Sequence, residues 1–318
     1  MITVVIPLYN KTQTIEAAVR SVQAQTWADW RLIVVDDGSR DEGPGKVAAM
    51  ATDDTRIRLV RQANGGVSAA RNQGVALAEG DCVALLDADD TWLPGHLAQL
   101  MALRQTMPDA PMWATAYRLV DDAGMDRVVR MRPQGGDHHV IDDYFAESVD
   151  WELPVHSSAV MLSKRALQAV GGFPVGVGSG EDLLTWARLS CLGAFPFGTR
   201  ATAVYVSPPV APHTRRAVVR RPATPDRVTE GLMQLRAAHP ARARSIDRFL
   251  GLWWRIRGMG HLELNERIGC VRSVWAAARV SGWQRRDLLS LALCALPWPW
   301  RTRMLAHARG WRGQQEGR

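Results

Sequence analysis

Cysteine is scarce in this sequence, and the few cysteines stand far apart. Only four occur among 318 residues, and no two of them form a C-x-x-C pair. They are Cys82, Cys191, Cys270 and Cys294. This spacing indicates neither a zinc site nor a disulfide framework, so a reducing cytosol fits the sequence best.

Long apolar runs are also lacking. The longest uncharged and mainly apolar run spans residues 288–300 and contains two prolines. A membrane-spanning helix needs about 20 apolar residues, so this run is too short to cross a bilayer alone. No basic segment precedes the first apolar run, ITVVIPLY, which argues against a secretory signal. We therefore expect a cytoplasmic protein.

The glycine-rich loops that bind phosphate are missing as well. The first predicted strand runs into PLYNK, where a dinucleotide-binding protein would have G-x-G-x-x-G, and the pattern G-x-x-x-x-G-K-[ST] does not occur. Bound phosphates would then need another source of positive charge. A divalent cation held by carboxylates is one such source, because Mg²⁺ and Mn²⁺ prefer hard oxygen ligands.

Lysine is absent from the last part of the chain. From Asp226 onward there are 17 arginines and 7 acidic residues, a balance of +10 against +7 for the whole chain. Seven of the 13 tryptophans lie in the same segment. Three interpretations fit: an anionic membrane surface as partner, a nucleic acid, or a helical domain with a solvated arginine-rich face. The tryptophans favour the membrane, at the inner face of the cell membrane, and we expect no nucleic-acid partner.

Residues 226–318 are predicted to form a basic, Trp-rich α-helical extension. Breaks between its helices are expected near Pro240, residues 258–260, Gly282 and Pro297. The extension would dock on the N-terminal part, lie on a membrane leaflet, or form a dimer contact. The sequence leaves the oligomeric state open.

The preceding two thirds of the chain alternate between two kinds of segment. Short apolar or β-branched runs, ITVVIPLY, RLIVVDD, RIRLVRQ and DCVALLDAD, are separated by stretches with helical spacing such as 14–25 and 67–78. This alternation predicts an α/β fold with a mainly parallel sheet and flanking helices.

Polar residues of unusual type follow three of these four predicted strands. They are Tyr9-Asn10-Lys11, Asp36-Asp37-Gly38-Ser39 and Asp87-Ala88-Asp89-Asp90. The carboxyl ends of parallel strands share one edge of a sheet, where ligands bind, so this edge is the candidate site. Asp87 and Asp89 form a D-x-D motif that suits a metal and a ribose, but such pairs also occur in solvated turns and helix caps.

Five blocks, in order and spacing, resemble the family 2 glycosyltransferases of GT-A fold. They are PLYN (7–10), VVDDGS (34–39), NGGVSAARNQG (64–74), LLDADD (85–90) and GEDLLTWARL (180–189). The resemblance covers roughly residues 2 to 210. It implies a catalytic domain over 1–215 with a Rossmann-like mixed, mainly parallel sheet. It also implies inverting sugar transfer from a nucleotide-activated donor, commonly a UDP-sugar, with Mn²⁺ or Mg²⁺.

Roles for the strand-end residues follow from the resemblance. Asp37 would accept a hydrogen bond from the nucleotide base, in a pocket lined by Pro7 and Tyr9. Asp87 would contact the ribose, and Asp89 would coordinate the metal that bridges the diphosphate.

Three neighbours have open alternatives. Arg71 would face the nucleotide or its phosphates, or else form a salt bridge to the nearby acids. Asp36 would share the site or only brace its turn. Asp90 is predicted to cap the following turn, TWLPGHL, because Asp is favoured ahead of a helix.

An inverting transfer also needs a base that takes the proton of the acceptor hydroxyl. The resemblance assigns this role to Asp182, with Glu181 as its orienting neighbour, at the start of an apolar-periodic helix after the loop GVGSG. The alternative is that both are acidic residues favoured at a helix N-terminus.

The remaining candidates rest on placement. His213 would complete the metal shell or be an exposed loop histidine, and Arg215 and Arg216 would pair with the diphosphate or be surface charges. A second group, predicted to be a polar loop before the helix DYFAE and not a metal cluster, comprises His138, His139, Asp142 and Asp143. A third group, placed beside the acceptor, comprises Trp151, His156 and Ser157.

The sequence departs from the processive polysaccharide synthases, because it has no Q-x-x-R-W pattern after the ED block. We therefore expect addition of a single sugar to a saccharide or lipid-linked acceptor, in bacterial surface polysaccharide or lipid-linked oligosaccharide synthesis. Two alternatives are a sugar-phosphate nucleotidyltransferase and a non-catalytic, membrane-associated binding protein. The donor sugar, the acceptor and the linkage cannot be inferred from these motifs.

Overall fold

The structure, a computed structural model, describes residues 1–121, 125–133, 135–206, 221–298, 300, 301 and 304. The chain divides into two compact units, Met1–Pro208 and Pro209–Arg318.

One sheet runs through the N-terminal unit. Its ten described strands are β1 (Ile2–Leu8), β2 (Trp30–Asp36), β3 (Ile57–Arg61), β4 (Cys82–Leu85), β5 (Thr91–Trp92), β6 (Met112–Val120), β7 (Asp126–Val128), β8 (His138–Ile141), β9 (Val160–Ser163) and β10 (Phe195–Val206). They are ordered β3-β2-β1-β4-β9-β6-β10-β5, with β7 beside β6 and β8 beside β10.

The sheet is mixed, and its parallel part carries the predicted strand ends. β1 pairs in parallel with β2 and β4, and β2 with β3. β9 is antiparallel to β4 and β6, whereas β6 and β10 are parallel. The predicted α/β fold is therefore confirmed, and the carboxyl ends of β1, β2, β3 and β4 meet at one edge.

Helices flank this sheet. They are α1 (Ile15–Gln23), α2 (Gly43–Asp53), α3 (Val67–Leu77), α4 (His96–Thr106), α5 (Tyr144–Asp150), α6 (Lys164–Ala169) and α7 (Glu181–Ser190), with a 3₁₀ turn at Ser157–Ala159. α1 buries Ile15, Ala18, Val19 and Val22, which lie on one helical face. α3 packs so closely on β1 that a Cβ atom at Gly74 would lie 2.4 Å from Val5 Cγ1.

One local prediction was wrong. His138 and His139 were expected in a polar loop, but they belong to β8, which pairs with β10. His139 is buried there, with its ring 5.2 Å from that of Phe197. The predicted helix follows as α5, and Asp143 caps it by accepting from the amides of Phe145 and Ala146.

The described part of the C-terminal unit is helical, as predicted. Its helices are α8 (Arg227–Ala238), α9 (Ala243–Glu263), α10 (Arg267–Ser281) and α11 (Arg285–Ala295), with a 3₁₀ turn at Pro240–Arg242. The core between α9, α10 and α11 contains Leu262, Cys270, Val274, Leu293 and Cys294. Among the described helices, none combines the length and the apolar character that a membrane span requires.

The predicted break at residues 258–260 is wrong, because α9 continues through both glycines. Gly258 lies against α10, where a Cβ atom would meet Ser273 Cβ at 3.5 Å. Close packing of two helices thus outweighs the low helix propensity of glycine. The chain instead turns at Asn265, whose φ of 64° is left-handed.

Candidate functional site

Asp37 organises the turn between β3 and α3. Its buried carboxylate accepts hydrogen bonds from the amide of Gly65 and the side chain of Gln62 at Oδ1, at 2.8 and 2.7 Å. Oδ2 accepts from the amide of Gly66 at 2.8 Å, and Gly66 has a φ of 84° that favours glycine. Asp37 therefore holds the N-G-G turn in place. Its predicted contact with a nucleotide base stays a prediction.

Asp36 braces the preceding turn, which is the structural alternative stated for it. The Asp36 Oδ1 atom accepts a hydrogen bond from the amide of Ser39 at 2.9 Å. The hydroxyl of Ser39 in turn accepts from the amide of Asn10 at 3.1 Å. This chain of contacts ties the end of β2 to the end of β1.

Arg71 lies beneath the edge, on the first turns of α3, with only 3% of its surface exposed. Its Nη2 atom donates hydrogen bonds to Asp87 Oδ1 at 2.8 Å and to Ser157 Oγ at 3.0 Å. Nη1 lies 3.6 Å from Glu181 Oε1. The salt-bridge alternative for Arg71 is thus realised, and this guanidinium brings the LLDADD block and the start of α7 together.

The charges at this point shift one another's pKa values. Burial acts to lower the pKa of Arg71, but the carboxylates of Asp87 and Glu181 outweigh it, so that pKa is raised. Burial acts to raise the pKa of Asp87, but the charge of Arg71 outweighs it, so that pKa is lowered. Asp87 is therefore ionised, and 27% of its side chain remains exposed at the edge. Arg71 Nε and Nη1 have no hydrogen-bond partner among the described residues.

Asp90 does not cap the turn that follows it, so that prediction is wrong. Its Oδ2 atom accepts from the hydroxyl of Ser158 at 2.5 Å, and Oδ1 accepts from the amide of Val206 at 3.0 Å. The carboxyl group is buried, and burial together with the charge of Asp87 raises its pKa to about 8. Asp90 thus joins the DADD turn to the end of β10.

His156 precedes the 3₁₀ turn that supplies both serines. Burial lowers its pKa. Its Nδ1 atom accepts from the amide of Ser158 at 3.2 Å, which requires a neutral ring with the proton on Nε2. The ring also lies 5.1 Å from that of Tyr117 and 4.7 Å from that of Tyr205.

Asp89 faces outward at the strand edge and contacts Lys11. The Lys11 Nζ atom lies 2.5 Å from Asp89 Oδ2, and 29% of the aspartate side chain is exposed. No cluster of three or more metal-ligating side chains occurs in the parts of the chain that the structure describes. A single accessible carboxylate fits Mg²⁺ or Mn²⁺ that takes its other ligands from substrate phosphates and water. His213, Arg215 and Arg216 lie outside the described residues.

α7 opens with the two predicted catalytic acids. Gly180 precedes them in the left-handed conformation, with φ of 79°. Glu181 is buried toward Arg71, whereas Asp182 Oδ1 accepts from the amide of Leu183 at 2.7 Å. The charge of Asp182 contributes to the pKa shifts of Arg71 and His156, so Asp182 lies on the same side as this network.

Of the other predicted residues, Pro7 and Tyr9 lie at the end of β1, and Trp151 lies at the end of α5. Pro7 lies on β1 opposite Val35 of β2 in the parallel register, and the side chain of Tyr9 beyond it is about half exposed. Trp151 lies at the C-terminal end of α5 with an exposed ring. The sequence motifs did not indicate the roles of Lys11, Gln62 and Ser158, although the PLYNK, RQANGG and HSS segments that contain them adjoin those motifs.

Residues 3–154 match the family model described as Glycosyl transferase family 2. The succinoglycan biosynthesis protein ExoW of Rhizobium meliloti is 44% identical over 100 residues, which is 30% of this chain and 31% of that protein. An Escherichia coli protein, UDP-Glc:alpha-D-GlcNAc-diphosphoundecaprenol beta-1,3-glucosyltransferase WfgD, is 36% identical over 104 residues, or 32% of this chain and 40% of its own length. The segments that match this chain span about a third of the length of these curated relatives.

Two solved structures share the fold. S. aureus TarS 1-349 in complex with UDP-GlcNAc has a TM-score of 0.66 at 16% identity, and the match covers 92% of this chain and 84% of the TarS 1-349 chain. The mannosyltransferase PcManGT from Pyrobaculum calidifontis, in complex with GDP-Man and Mn²⁺, has a TM-score of 0.51 at 20% identity. That comparison covers 96% of this chain and 84% of PcManGT.

Proposed function

Because residues 3–154 belong to glycosyl transferase family 2, we propose that the protein moves one sugar from a nucleotide-diphosphate sugar to an acceptor hydroxyl, with inversion. The observation that carries this proposal is the site at the edge of β1, β2 and β4. There the ionised carboxylate of Asp87 forms a salt bridge with Arg71, and the carboxylate of Asp89 is accessible. α7 begins at the same site with Glu181 and Asp182. UDP is the favoured nucleotide, since TarS and WfgD are named with UDP-sugars.

The donor would lie across the carboxyl ends of the parallel strands. Pro7 and Tyr9 would line the nucleoside pocket, with Asp37 beneath it. The exposed part of the Asp87 carboxylate would accept from a ribose hydroxyl, while the bond to Arg71 keeps this carboxylate charged and oriented.

Asp89 would be the protein ligand of a divalent cation. When bound, Mn²⁺ or Mg²⁺ supplies positive charge to the leaving group. Lys11 already places a positive charge on the same carboxylate. His213, if it joins the cation, would do so from outside the described residues.

Asp182 would act as the general base. The acceptor oxygen attacks the anomeric carbon and forms the new glycosidic bond, while the bond from that carbon to the diphosphate oxygen breaks. The hydroxyl proton passes to the Asp182 carboxylate, and the nucleoside diphosphate leaves with the electron pair. Glu181, held toward Arg71, would orient its neighbour through the start of α7.

The acceptor is proposed to be a saccharide or lipid-linked saccharide of a bacterial surface polysaccharide. ExoW and WfgD, which bear such names, support this proposal. His156 and Ser157 lie next to Arg71 and Asp87 and would contact the acceptor or the donor sugar.

The test is calorimetric titration of the full chain with UDP, with and without Mn²⁺. We expect binding that requires the metal in the wild type and is lost in Asp89→Ala. Asp81→Ala, which removes an aspartate that is 90% exposed, is the matched control. Absence of binding to UDP, GDP and dTDP alike would overturn the proposal. Release of pyrophosphate from a nucleoside triphosphate and a sugar phosphate would replace it with a nucleotidyltransferase.

A further inference from the structure

α10 exposes a stripe in which apolar and basic side chains alternate. Ile268, Arg272, Trp275 and Arg279 are all exposed. Their spacing of four, three and four residues places them on one helical face. The buried residues of the same helix, among them Cys270 and Val274, lie in the core of the C-terminal unit. The stripe therefore points away from that core.

A second tryptophan extends this stripe. Trp283 follows α10, and its ring centroid lies 5.1 Å from that of Trp275, with the planes at 78°. Both tryptophans are 51% exposed. Single exposed apolar residues are ordinary, but here two indoles are held edge to face, and Ile268 lies on the same helical face about two turns away. We name Ile268, Arg272, Trp275, Arg279 and Trp283 the Trp-Arg surface.

The charge around this surface has one sign. Residues 267–298 contain five arginines and a single acidic residue, Asp287. Asp287 is buried and accepts hydrogen bonds from Arg255 at 2.7 and 2.8 Å, so it does not offset the exposed arginines. α11 continues the same character with exposed Arg285, Leu288 and Leu289. The partner that complements this segment is therefore both anionic and partly apolar.

We propose that the Trp-Arg surface binds an anionic phospholipid bilayer. The indole rings suit the depth of the headgroups, where tryptophan and tyrosine are enriched. Guanidinium groups pair with phosphate oxygens through two parallel hydrogen bonds. A bilayer supplies both features over one extended surface, whereas a free phosphate supplies only the second. This inference concerns the C-terminal unit and does not depend on the proposed sugar transfer.

The experiment is flotation of the full chain with vesicles of two compositions. One contains phosphatidylcholine alone, and the other contains phosphatidylcholine with phosphatidylglycerol. We expect the protein to float with the anionic vesicles, and the bound fraction to fall as salt is raised from 50 to 500 mM, because salt screens surface charge.

Two double variants test the two halves of the surface. Arg272→Ser with Arg279→Ser removes two cations and is expected to weaken binding to anionic vesicles by about tenfold or more. Trp275→Ser with Trp283→Ser keeps the charge and is expected to weaken binding similarly. The matched controls are Arg58→Ser with Arg244→Ser, and Met233→Ser with Leu192→Ser, all at exposed positions. Both control variants should bind as the wild type does.

Three results would overturn the proposal. The first is flotation that does not depend on phosphatidylglycerol, or no flotation at all. The second is unchanged flotation of both surface variants. The third result combines two observations: neither the wild type nor the Trp275→Ser, Trp283→Ser variant floats, and the wild type elutes as a dimer whereas the variant elutes as a monomer. This face would then be a contact between two copies of the chain. UDP binding, measured on the same samples, reports separately on the proposed function and on folding.

Discussion

Ser158 and Asp90 are joined by a hydrogen bond of 2.5 Å, although 68 residues separate them in the chain. The same hydroxyl accepts from the amide of Asp87 at 3.0 Å. One buried serine therefore holds both the first aspartate of the DADD turn, Asp87, and the last, Asp90. Asp90 in turn accepts from Val206 at the end of β10, so this pair connects three segments of the site.

This buried carboxyl group predicts a pH dependence of stability. Burial raises the pKa of Asp90 to about 8, so between about pH 4 and pH 8 the folded protein holds a proton that the unfolded chain has lost. The contribution of Asp90 to the free energy of unfolding is therefore fully present below pH 4, decreases as the pH rises, and levels off above pH 8. We expect wild type to lose stability relative to Asp90→Asn across that window, measured by urea unfolding.

Asp54→Asn is the contrasting control. The hydrogen bond from Arg56 holds the pKa of Asp54 below its usual range, so its contribution is present above about pH 4 and lost as pH falls. A stability difference between wild type and Asp90→Asn that stays constant from pH 4 to pH 8 would contradict the assignment to Asp90.

Arg71→Met is expected to destabilise the N-terminal unit. The substitution removes the guanidinium that pairs with Asp87 and faces Glu181, and removal of one partner of a buried ion pair costs about 3–5 kcal/mol. Arg71→Lys keeps the charge but loses the forked geometry, so it should recover part of the loss. The measurement is the free energy of unfolding in denaturant.

Arg20→Met serves as the matched arginine control. Arg20 pairs with Glu16 on the surface of α1, with 67% of its side chain exposed, and such pairs contribute about 0–1 kcal/mol. Equal losses from Arg71→Met and Arg20→Met would show that the buried network is not stabilising.

Asp182→Asn is expected to reduce sugar transfer by about 10²–10⁴ while nucleotide binding is retained. The reason is that an amide cannot take the proton from the acceptor hydroxyl, whereas the fold at the start of α7 is preserved. Initial rates with a UDP-sugar and calorimetry with UDP check the two halves of this prediction. Full activity of Asp182→Asn would remove it from the role of base.

Lys11→Met is expected to tighten binding of the divalent cation. The Lys11 ammonium lies 2.5 Å from Asp89 Oδ2 and competes with a metal for this carboxylate. We expect the Mn²⁺ concentration at half-saturation of UDP binding to fall about threefold to tenfold, since the pair is partly exposed and contributes roughly 1 kcal/mol. Lys46→Met, at a lysine near Glu16, is the control. A rise in the required Mn²⁺ would instead assign Lys11 to the phosphates.

Gly74→Ala is expected to destabilise the protein by about 1–3 kcal/mol through overpacking. The new methyl group would lie 2.4 Å from Val5 Cγ1, in the contact between α3 and β1. Gly45→Ala, also within a helix, meets only the end of Glu42 at 3.9 Å and should be neutral or stabilising. Thermal unfolding of both variants measures the difference. Equal melting temperatures would show that α3 can shift away from the sheet.

Contacts that are local or periodic were predictable. The apolar runs place β1, β2, β3 and β4 within one residue of their observed bounds, except that the run for β4 ends four residues too late. Three of these strands, β1, β2 and β4, are buried on both faces, which gives them near-continuous apolar runs. The shared edge follows, because parallel strands end on the same side. The roles of Asp90 and Gly258 were not predictable in this way, since their partners lie far along the chain or on another helix.

The family resemblance, the α/β sheet and the edge where the acidic residues gather were all predictable from the amino-acid sequence. These depend on strand period and on motifs a few residues long. The partner of each acid emerged only from the folded structure, in which Asp87 pairs with Arg71, Asp89 pairs with Lys11, and Asp90 accepts a hydrogen bond from Ser158. The physical reason is that burial and neighbouring charge set the state of each carboxyl group. Both arise from segments that meet only when the chain has folded.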